Sequence, residues 1–176
     1  RKGYTKYSKV FSNIEIKATD VKGVEARANN YIYDGNFHDA VKVKKKNVAI
    51  VTDRGTPLIS DPGYKTVKYI KDHCYNVIAL PGACAMMPAM IASGISSVHF
   101  LFYGFLDSKK KKKRSELERL SDEEETIIFY EAPHRIIRTL NMMLEIFGDR
   151  NISISREISK KFETIYRGKI SDVINI

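Results

Sequence analysis

Two short apolar runs, each ending in a turn rich in glycine and proline, constrain the fold of this chain more than any other feature. The first run is Val48–Val51, followed by the turn 52–57, and the second is Val77–Leu80, followed by Pro81 and Gly82. Continuous apolar runs of this length are typical of strands buried on both faces of a parallel sheet. Glycine and proline end such strands because they favour turns. The pattern therefore predicts an α/β fold.

Strand and helix patterns alternate along the rest of the chain, which supports the same fold class. Residues 1–46 show little regular pattern, whereas Tyr64, Val67 and Ile70 have helical spacing. We predict two domains, 1–80 and 81–176, with the first incomplete in this chain. The further predicted strands are Tyr31–Tyr33, Phe100–Phe105, Thr126–Tyr130, one around Ile152 and Ile154, and Phe162–Arg167, which is followed by a turn at Gly168. The further predicted helices are Ala85–Ser93, closed by Gly94, a charged helix that follows Lys109–Arg114 and ends near Leu120, Arg135–Phe147, closed by Gly148, and a last helix capped by Ser171. The helix Arg135–Phe147 has one apolar face, formed by Ile136, Ile137, Leu140, Met143, Leu144 and Phe147.

Cysteine content and hydropathy exclude several protein classes. The chain has two cysteines, Cys74 and Cys84, which form no CxxC pair and lie near no histidine cluster. This argues against a zinc site and against a secreted disulfide scaffold. No apolar run approaches the roughly 18 residues that a membrane helix needs. We therefore expect a cytoplasmic protein with no metal ion and no membrane partner.

The charge balance permits a polyanionic partner. The net charge is +9, from 30 basic and 21 acidic residues. Lysine and arginine bind nucleic acids favourably because they release counterions from the phosphates. A lysine-rich overall composition explains the same charge without any partner, so the charge alone decides nothing.

Three loops carry the residues suited to ligand binding. They are 53–63, with two glycines and two prolines, 81–85, which opens a helix of small residues, and 129–135, which holds Glu131, His134 and Arg135. In open α/β sheets, ligands bind beyond the carboxyl ends of the strands, where such loops lie. The first loop lacks the GxxxxGK[ST] and GxGxxG patterns of nucleotide sites. Each loop also has a structural interpretation, as a tight connection, a common turn or a proline in a first helical turn. Their fixed order, each after a predicted strand, favours a binding cleft.

The same segments carry a family resemblance. Residues 48–53, followed after one residue by GTPLISDPGY, resemble the signature of the ribosomal RNA small subunit methyltransferase I family. The continuation matches in order, with LPGAxA, IASG, FLFYGF, a lysine-rich segment, TIIFYEAPHR, SREISKKFE and YRG. The resemblance covers residues 47 to about 170. Arg54 and Cys84 depart from the family pattern, which has a small residue and an Asn or Ser at these positions.

This resemblance implies a fold, a cofactor and a substrate. The family is similar to tetrapyrrole methylases, which have two α/β/α domains and hold S-adenosylmethionine in the cleft between them. It implies methylation of the ribose 2′-hydroxyl of a cytidine in small-subunit ribosomal RNA, with that RNA or the 30S subunit as partner and a homodimer as the assembly. Two alternatives stay open, a methyltransferase of the same superfamily that acts on a tetrapyrrole and a non-catalytic RNA-binding relative.

The loops and the resemblance together predict the site residues. A ribose hydroxyl is a weak nucleophile, so a general base helps, and Glu131 and His134 are the candidates for that base or for an orienting group. A structural role is the alternative for both, with Glu131 accepting backbone amides and His134 beginning a helix. The predicted cofactor contacts are Asp53, Gly55, Thr56, Pro57, Leu58, Ile59, Ser60, Pro81, Gly82, Ala85 and Tyr130. The predicted RNA contacts are Lys109, Lys110, Lys111, Lys112, Lys113, Arg114, Arg135, Arg156, Lys160 and Lys161, with solvated surface charges as the alternative.

Overall fold

The chain divides into two compact units, one ending at Ala83 and the other beginning at Cys84. The computed structural model describes residues 55–61 and 63–176. The predicted strands at Tyr31–Tyr33 and Val48–Val51, together with Asp53, lie outside the described residues. Helices and strands alternate along the second unit, so the α/β class is confirmed. The domain boundary at residue 80 stays a prediction.

The first unit contains one helix among its described residues, α1 (Tyr64–Asp72). It confirms the predicted helix and begins directly after Gly63. Thr66 and Ile70 are buried, whereas Tyr64, at the start of the predicted apolar spacing, is exposed. No helix of the described residues is both long and apolar enough to cross a bilayer.

The prediction of a strand at Val77–Leu80 is wrong. The segment has no regular secondary structure, and Ile78 is 76% exposed. A four-residue apolar run indicates that burial would be favourable, but it does not provide the neighbouring strand that a ladder requires. No strand among the described residues pairs with this run.

The second unit opens with helix α2 and a parallel strand pair. Helix α2 (Met86–Ser93) ends at Gly94, whose φ of 71° gives the left-handed cap that the sequence predicts. Strands β1 (Phe100–Phe105) and β2 (Thr126–Tyr130) have the predicted bounds and pair in parallel. Helix α3 (Lys110–Arg119) forms the crossover that parallel strands require. The lysine run therefore lies inside the first turns of a helix and is not a separate loop.

The core of the second unit is formed by helices packed on these strands. A 3₁₀ turn (Pro133–Arg135) leads into α4 (Ile136–Phe147), close to the predicted helix, and Gly148 ends it. Ile137 is 51% exposed, so its placement on the apolar face was wrong. The buried stripe is rotated toward Thr139 and Met142, and Ile137 lies on the far side because successive residues turn by about 100°. The core cluster consists of Leu106, Leu117, Leu140, Met142, Met143 and Ile170.

An antiparallel hairpin and a short helix complete the described chain. Strands β3 (Asn151–Arg156) and β4 (Thr164–Lys169) pair from Asn151–Lys169 to Arg156–Thr164. The predicted strand at Phe162 begins two residues too early, and Gly168 lies within β4 opposite Ile152 instead of in a turn. Helix α5 (Ile170–Ile174) is anchored by Asp149, which accepts hydrogen bonds from the Ser171 amide at 2.9 Å and hydroxyl at 2.8 Å. Ser171 therefore lies inside the helix and is not its cap.

Candidate functional site

In the first unit, the predicted cofactor loop contains several residues with left-handed backbone. Gly55, Leu58 and Ser60 have φ values of 75°, 71° and 58°. Residues other than glycine cost about 1–3 kcal/mol each in such sparsely populated regions, and they persist where the surroundings fix them. The loop 55–61 therefore has a defined, strained conformation of the kind that recurs at ligand-binding sites.

Thr56 joins this loop to the second predicted loop. Its hydroxyl donates a hydrogen bond to the carbonyl oxygen of Ala83 at 2.9 Å. A Cβ atom at Gly82 would lie 3.0 Å from the Thr56 Oγ1, and one at Gly55 would lie 3.4 Å from the Ala83 oxygen. A side chain at Gly82 would therefore press on the Thr56 hydroxyl, and glycine is favoured at position 55 because its φ of 75° is left-handed. The structure thus brings Gly55, Thr56 and Gly82 together, with Pro57, Leu58, Ile59 and Ser60 continuing one loop and Pro81 preceding Gly82.

In the second unit, Tyr130 ends strand β2 and supports the start of helix α2. The Met86 amide donates a hydrogen bond to the Tyr130 hydroxyl at 3.2 Å, directly after the exposed Ala85. The Tyr130 ring packs edge-on against Phe102 and Phe105, with centroids 5.1 and 5.5 Å away. Burial raises the pKa of the Tyr130 hydroxyl, and the neighbouring Cys84 adds to the increase while the Met86 amide opposes it. Tyr130 therefore stays protonated and is available as both donor and acceptor.

Glu131, the next residue, is the centre of a buried polar network. One carboxylate oxygen accepts hydrogen bonds from Lys113 Nζ at 2.8 Å and from the Thr139 hydroxyl at 2.6 Å. The other accepts the Ala132 amide at 2.8 Å and lies 2.7 Å from Arg135 Nη2. The Glu131 side chain is 6% exposed and that of Lys113 is 7% exposed. This network fixes α3, the end of β2 and the start of α4 to one another.

The network also sets the protonation of Glu131. Burial by itself raises the pKa of a carboxyl group, but hydrogen bonds from Lys113, Thr139 and the Ala132 amide outweigh it and lower the pKa to about 2. A carboxylate with so low a pKa is a weak base at neutral pH. Glu131 is therefore suited to holding the turn, which is the structural role that the sequence left open.

The other residues of the FYEAPHR segment have different surroundings. His134 lies exposed in the 3₁₀ turn, and its ring has no hydrogen-bond partner within the part of the chain that the structure describes. Arg135 is partly buried, and its guanidinium is committed to Glu131. It therefore stabilises the turn, and its predicted contact with RNA would have to replace this ion pair.

The predicted basic residues separate into buried and exposed groups. Lys113 points into the protein, so its assignment as an RNA contact was wrong, because its ammonium is enclosed by Glu131 and Thr139. Arg114 pairs with Glu145 at 2.6 Å, and Lys112 lies 3.9 Å from Asp107. Lys109, Lys110 and Lys111 are exposed at the start of α3, where the first turn contains no acidic residue. Arg156, Lys160 and Lys161 are exposed at the β3–β4 connection.

Comparison with known proteins places the chain in a family. The family model described as tetrapyrrole (corrin/porphyrin) methylases matches residues 8–174. The chain is a member of the tetrapyrrole methylase family. The match begins at residue 8, so the family likeness extends well before residue 47, where the motif resemblance begins.

Individual relatives of the chain carry one name. The chain is 55% identical over 129 residues to ribosomal RNA small subunit methyltransferase I of Bacillus subtilis, and the aligned segment covers 73% of the chain and 44% of that relative. It is 44% identical over 128 residues to the protein of this name in Haemophilus influenzae, an alignment that covers 72% of the chain and 45% of that relative. It is 45% identical over 167 residues to the protein of this name in Buchnera aphidicola, an alignment that covers 93% of the chain and 59% of that relative. The resemblance identified from the motifs is confirmed, and the chain spans about half the length of the curated relatives it matches.

Sequence reasoning missed two members of the buried network around Glu131. Lys113, Leu117 and Leu120 have the i, i+4, i+7 spacing of an inward face, which the charge of the lysine run concealed. Thr139 lies one residue before Leu140 on the apolar stripe of α4, and a polar residue there signals a buried partner.

Proposed function

We propose that this chain acts as an S-adenosylmethionine-dependent methyltransferase that modifies the ribose 2′-hydroxyl of a cytidine in small-subunit ribosomal RNA. The observation that carries the proposal is its 55% identity over 129 residues to a relative named ribosomal RNA small subunit methyltransferase I. The hydrogen-bonded Thr56–Ala83 pair supports it, because this pair holds two predicted cofactor loops together.

Backbone groups of the two loops are the proposed cofactor contacts. These are Gly55, Thr56, Pro57, Leu58, Ile59, Ser60, Pro81 and Gly82, with Asp53, Ala85 and the Tyr130 hydroxyl as further contacts. Glycine at position 82 leaves its backbone open to a ligand, and a side chain there would come within 3.0 Å of the Thr56 hydroxyl. The cofactor supplies an electrophilic methyl group on a sulfonium. The protein must hold the ribose oxygen in line with it, within about 3–3.5 Å, which contributes about 7–11 kcal/mol to catalysis.

In this proposal the Glu131 network positions the residues around it, and His134 is the candidate base. Glu131 fixes the Ala132 amide and Arg135, and so determines where the intervening His134 projects. An exposed imidazole at a strand–helix junction is accessible to a ribose hydroxyl. General-base assistance of this kind contributes about 10²–10⁴-fold to the rate.

The proposed partner is small-subunit RNA, as naked RNA or within the 30S subunit. Lys109, Lys110, Lys111 and Lys112 are exposed in a row at the start of α3, where they present positive charge to phosphates. Arg156, Lys160 and Lys161 extend the basic surface at the β3–β4 connection. The proposal includes a homodimer in the cytoplasm, and sedimentation of the purified protein measures that assembly.

Methyl transfer from labelled S-adenosylmethionine tests the proposal. Naked small-subunit RNA, 30S subunits and a porphyrin precursor are offered in parallel, and resistance of one RNA linkage to alkaline hydrolysis identifies 2′-O-methylation. Transfer to RNA at a cytidine is expected. Transfer only to the porphyrin precursor favours the tetrapyrrole activity after which the family is named. The absence of both transfer and calorimetric cofactor binding favours the non-catalytic alternative.

A further inference from the structure

The connection between β3 and β4, residues 157–163, has a conformation fixed by its own contacts. The Lys160 amide donates to the Glu157 carbonyl at 3.0 Å, and the Glu163 amide donates to the Lys160 carbonyl at 3.1 Å. The Ser159 amide donates to the Glu163 carboxylate at 2.6 Å, and the Lys160 ammonium lies 3.0 Å from the Glu157 carboxylate. Glu157 and Ser159 have φ values of 53° and 60°. This connection is therefore held in a strained shape instead of sampling many conformations.

Phe162 projects from this connection into solvent. Its side chain is 71% exposed, in a segment that the surrounding hydrogen bonds hold in place. Burying a phenylalanine side chain contributes roughly 1.5–3 kcal/mol, and this contribution is not realised here. The ring contacts Lys161, whose ammonium lies 5.5 Å from its centroid. An aromatic ring presented beside cations by an ordered connection is the arrangement that stacks nucleic-acid bases.

The charges around Phe162 favour a polyanion over an apolar protein surface. Both acidic residues of the connection are engaged internally, Glu157 by Lys160 and Glu163 by the Ser159 amide. Arg156 and Lys161 are exposed and have no carboxylate partner among the residues that the structure describes. An apolar partner would have to remove water from these two cations without compensation, which is costly. Phosphates would instead pair with them while a base covers the ring.

We infer that Phe162 is a stacking platform for an unpaired base of single-stranded RNA, with Arg156 and Lys161 contacting the adjacent phosphates. The inference rests on the proposed RNA-directed function and specifies how part of the substrate is recognised. Stacking requires no sequence preference, because every base has a π face. The platform thus recognises an unstacked nucleotide and leaves the choice of target to other contacts.

The experiment measures binding of the chain to an unstructured RNA oligonucleotide and to a stabilised abasic analogue with the same phosphates. Phe162→Ala is expected to weaken binding to the RNA by about five- to 150-fold. It should leave the affinity for the abasic analogue unchanged, and also the salt slope, which is the slope of log affinity against log salt concentration. Phe162→Trp should retain the affinity, whereas Phe162→Leu, which keeps apolar area without a π face, should resemble alanine. Lys161→Ala should lower the salt slope by about 0.7 on both ligands.

The outcomes separate this inference from the proposed function. If Phe162→Ala leaves RNA affinity unchanged while alanines at Lys109, Lys110 and Lys111 reduce it, the stacking inference is wrong and the RNA-directed function stands. If the alanine variant weakens the abasic analogue equally, or dissociates a dimer at unchanged RNA affinity, the ring acts through packing and the inference is also wrong. If the unaltered protein binds neither ligand, both fail. An exposed position should tolerate these substitutions within about 0.5 kcal/mol, which circular dichroism during unfolding measures.

Discussion

The ammonium of Lys113 lies 2.8 Å from a carboxylate oxygen of Glu131, and these side chains are only 7% and 6% exposed. One partner lies on α3 and the other follows β2, 18 residues apart in the chain. The pair is completed by Thr139, whose hydroxyl contacts both side chains. The segment that carries Tyr130 and His134 therefore depends for its conformation on a lysine in the middle of a basic run.

Removing one partner of this pair should destabilise the second unit strongly. Lys113→Met should lower the free energy of unfolding by about 3 kcal/mol, because it leaves one oxygen of the buried Glu131 carboxylate without its cation and only Arg135 to balance the charge. Adding Glu131→Gln to Lys113→Met should recover much of this loss. Lys111→Met, on an exposed position of the same helix, is the matched control and should change stability by less than about 0.5 kcal/mol. Urea unfolding followed by circular dichroism measures all four proteins, and equal stability of the two lysine variants would contradict the expectation.

Glu131 should also make the stability depend on acid pH. Its pKa is about 2 in the folded protein against an ordinary 4.5, so the unfolded state binds the proton more tightly. The stability it contributes is therefore complete above about pH 4.5 and is lost as the pH falls toward 2, with a magnitude on the order of 3 kcal/mol. As the pH is lowered from 6 to 2, the free energy of unfolding should fall more steeply for the unaltered protein than for Glu131→Gln. Asp149, whose pKa is lowered by Ser171, contributes equally to both proteins, so parallel curves would show that Glu131 carries no such linkage.

The Thr56–Ala83 hydrogen bond should affect cofactor binding if the two loops form the proposed cofactor site. Thr56→Val keeps the shape of the side chain and removes the donor, whose net contribution is about 0.5–1.5 kcal/mol. Calorimetry should show about two- to tenfold weaker binding of S-adenosylmethionine. Thr56→Ser keeps the hydroxyl and should bind as the unaltered protein does. Equal affinities of the valine and serine variants for S-adenosylmethionine would show that this hydrogen bond does not contribute to cofactor binding.

The exposed lysines of α3 should determine the salt dependence of RNA binding. Replacing Lys109, Lys110 and Lys111 by alanine should reduce the slope of log affinity against log salt by about 2 on single-stranded RNA. The variant should not unfold more easily, because positive charge at a helix N-terminus is unfavourable and alanine favours helix. Arg114→Ala is the control, since Arg114 is already paired with Glu145. A slope that responds to Arg114 and not to the three lysines would reverse the assignment.

Much of the fold could be predicted from local patterns. Strands β1 and β2 were predicted with their observed bounds, and α2 and α4 to within one residue, because apolar periodicity and capping glycines are local signals. The pattern failed where structure depends on partners far along the chain. Val77–Leu80 has the composition of a strand but pairs with no described strand, and β4 begins only where Thr164 can pair with Arg156.

The candidate site was predictable as loops but not as an arrangement. Glycine and proline content indicated the 55–60 loop and Pro81–Gly82, but the sequence does not show that Thr56 bonds to Ala83. The role of Glu131 depended on Lys113 and Thr139, which lie in the helices α3 and α4. Charge alone assigned Lys113 to the surface, because a run of like residues gives no indication that one member faces inward.

The enclosure of Lys113 has a consequence for chemical labelling of the lysine run. An amine-reactive reagent has to reach the amine, and the burial of Lys113 against Glu131, with 7% of its side chain exposed, denies the reagent that access. Its exposed neighbours Lys109–Lys112 should acylate readily while Lys113 is spared. Acylation of Lys113, measured by mass spectrometry, would therefore identify molecules in which α3 has separated from the FYEAPHR turn. The fraction of Lys113 that stays unmodified would report the fraction of folded molecules.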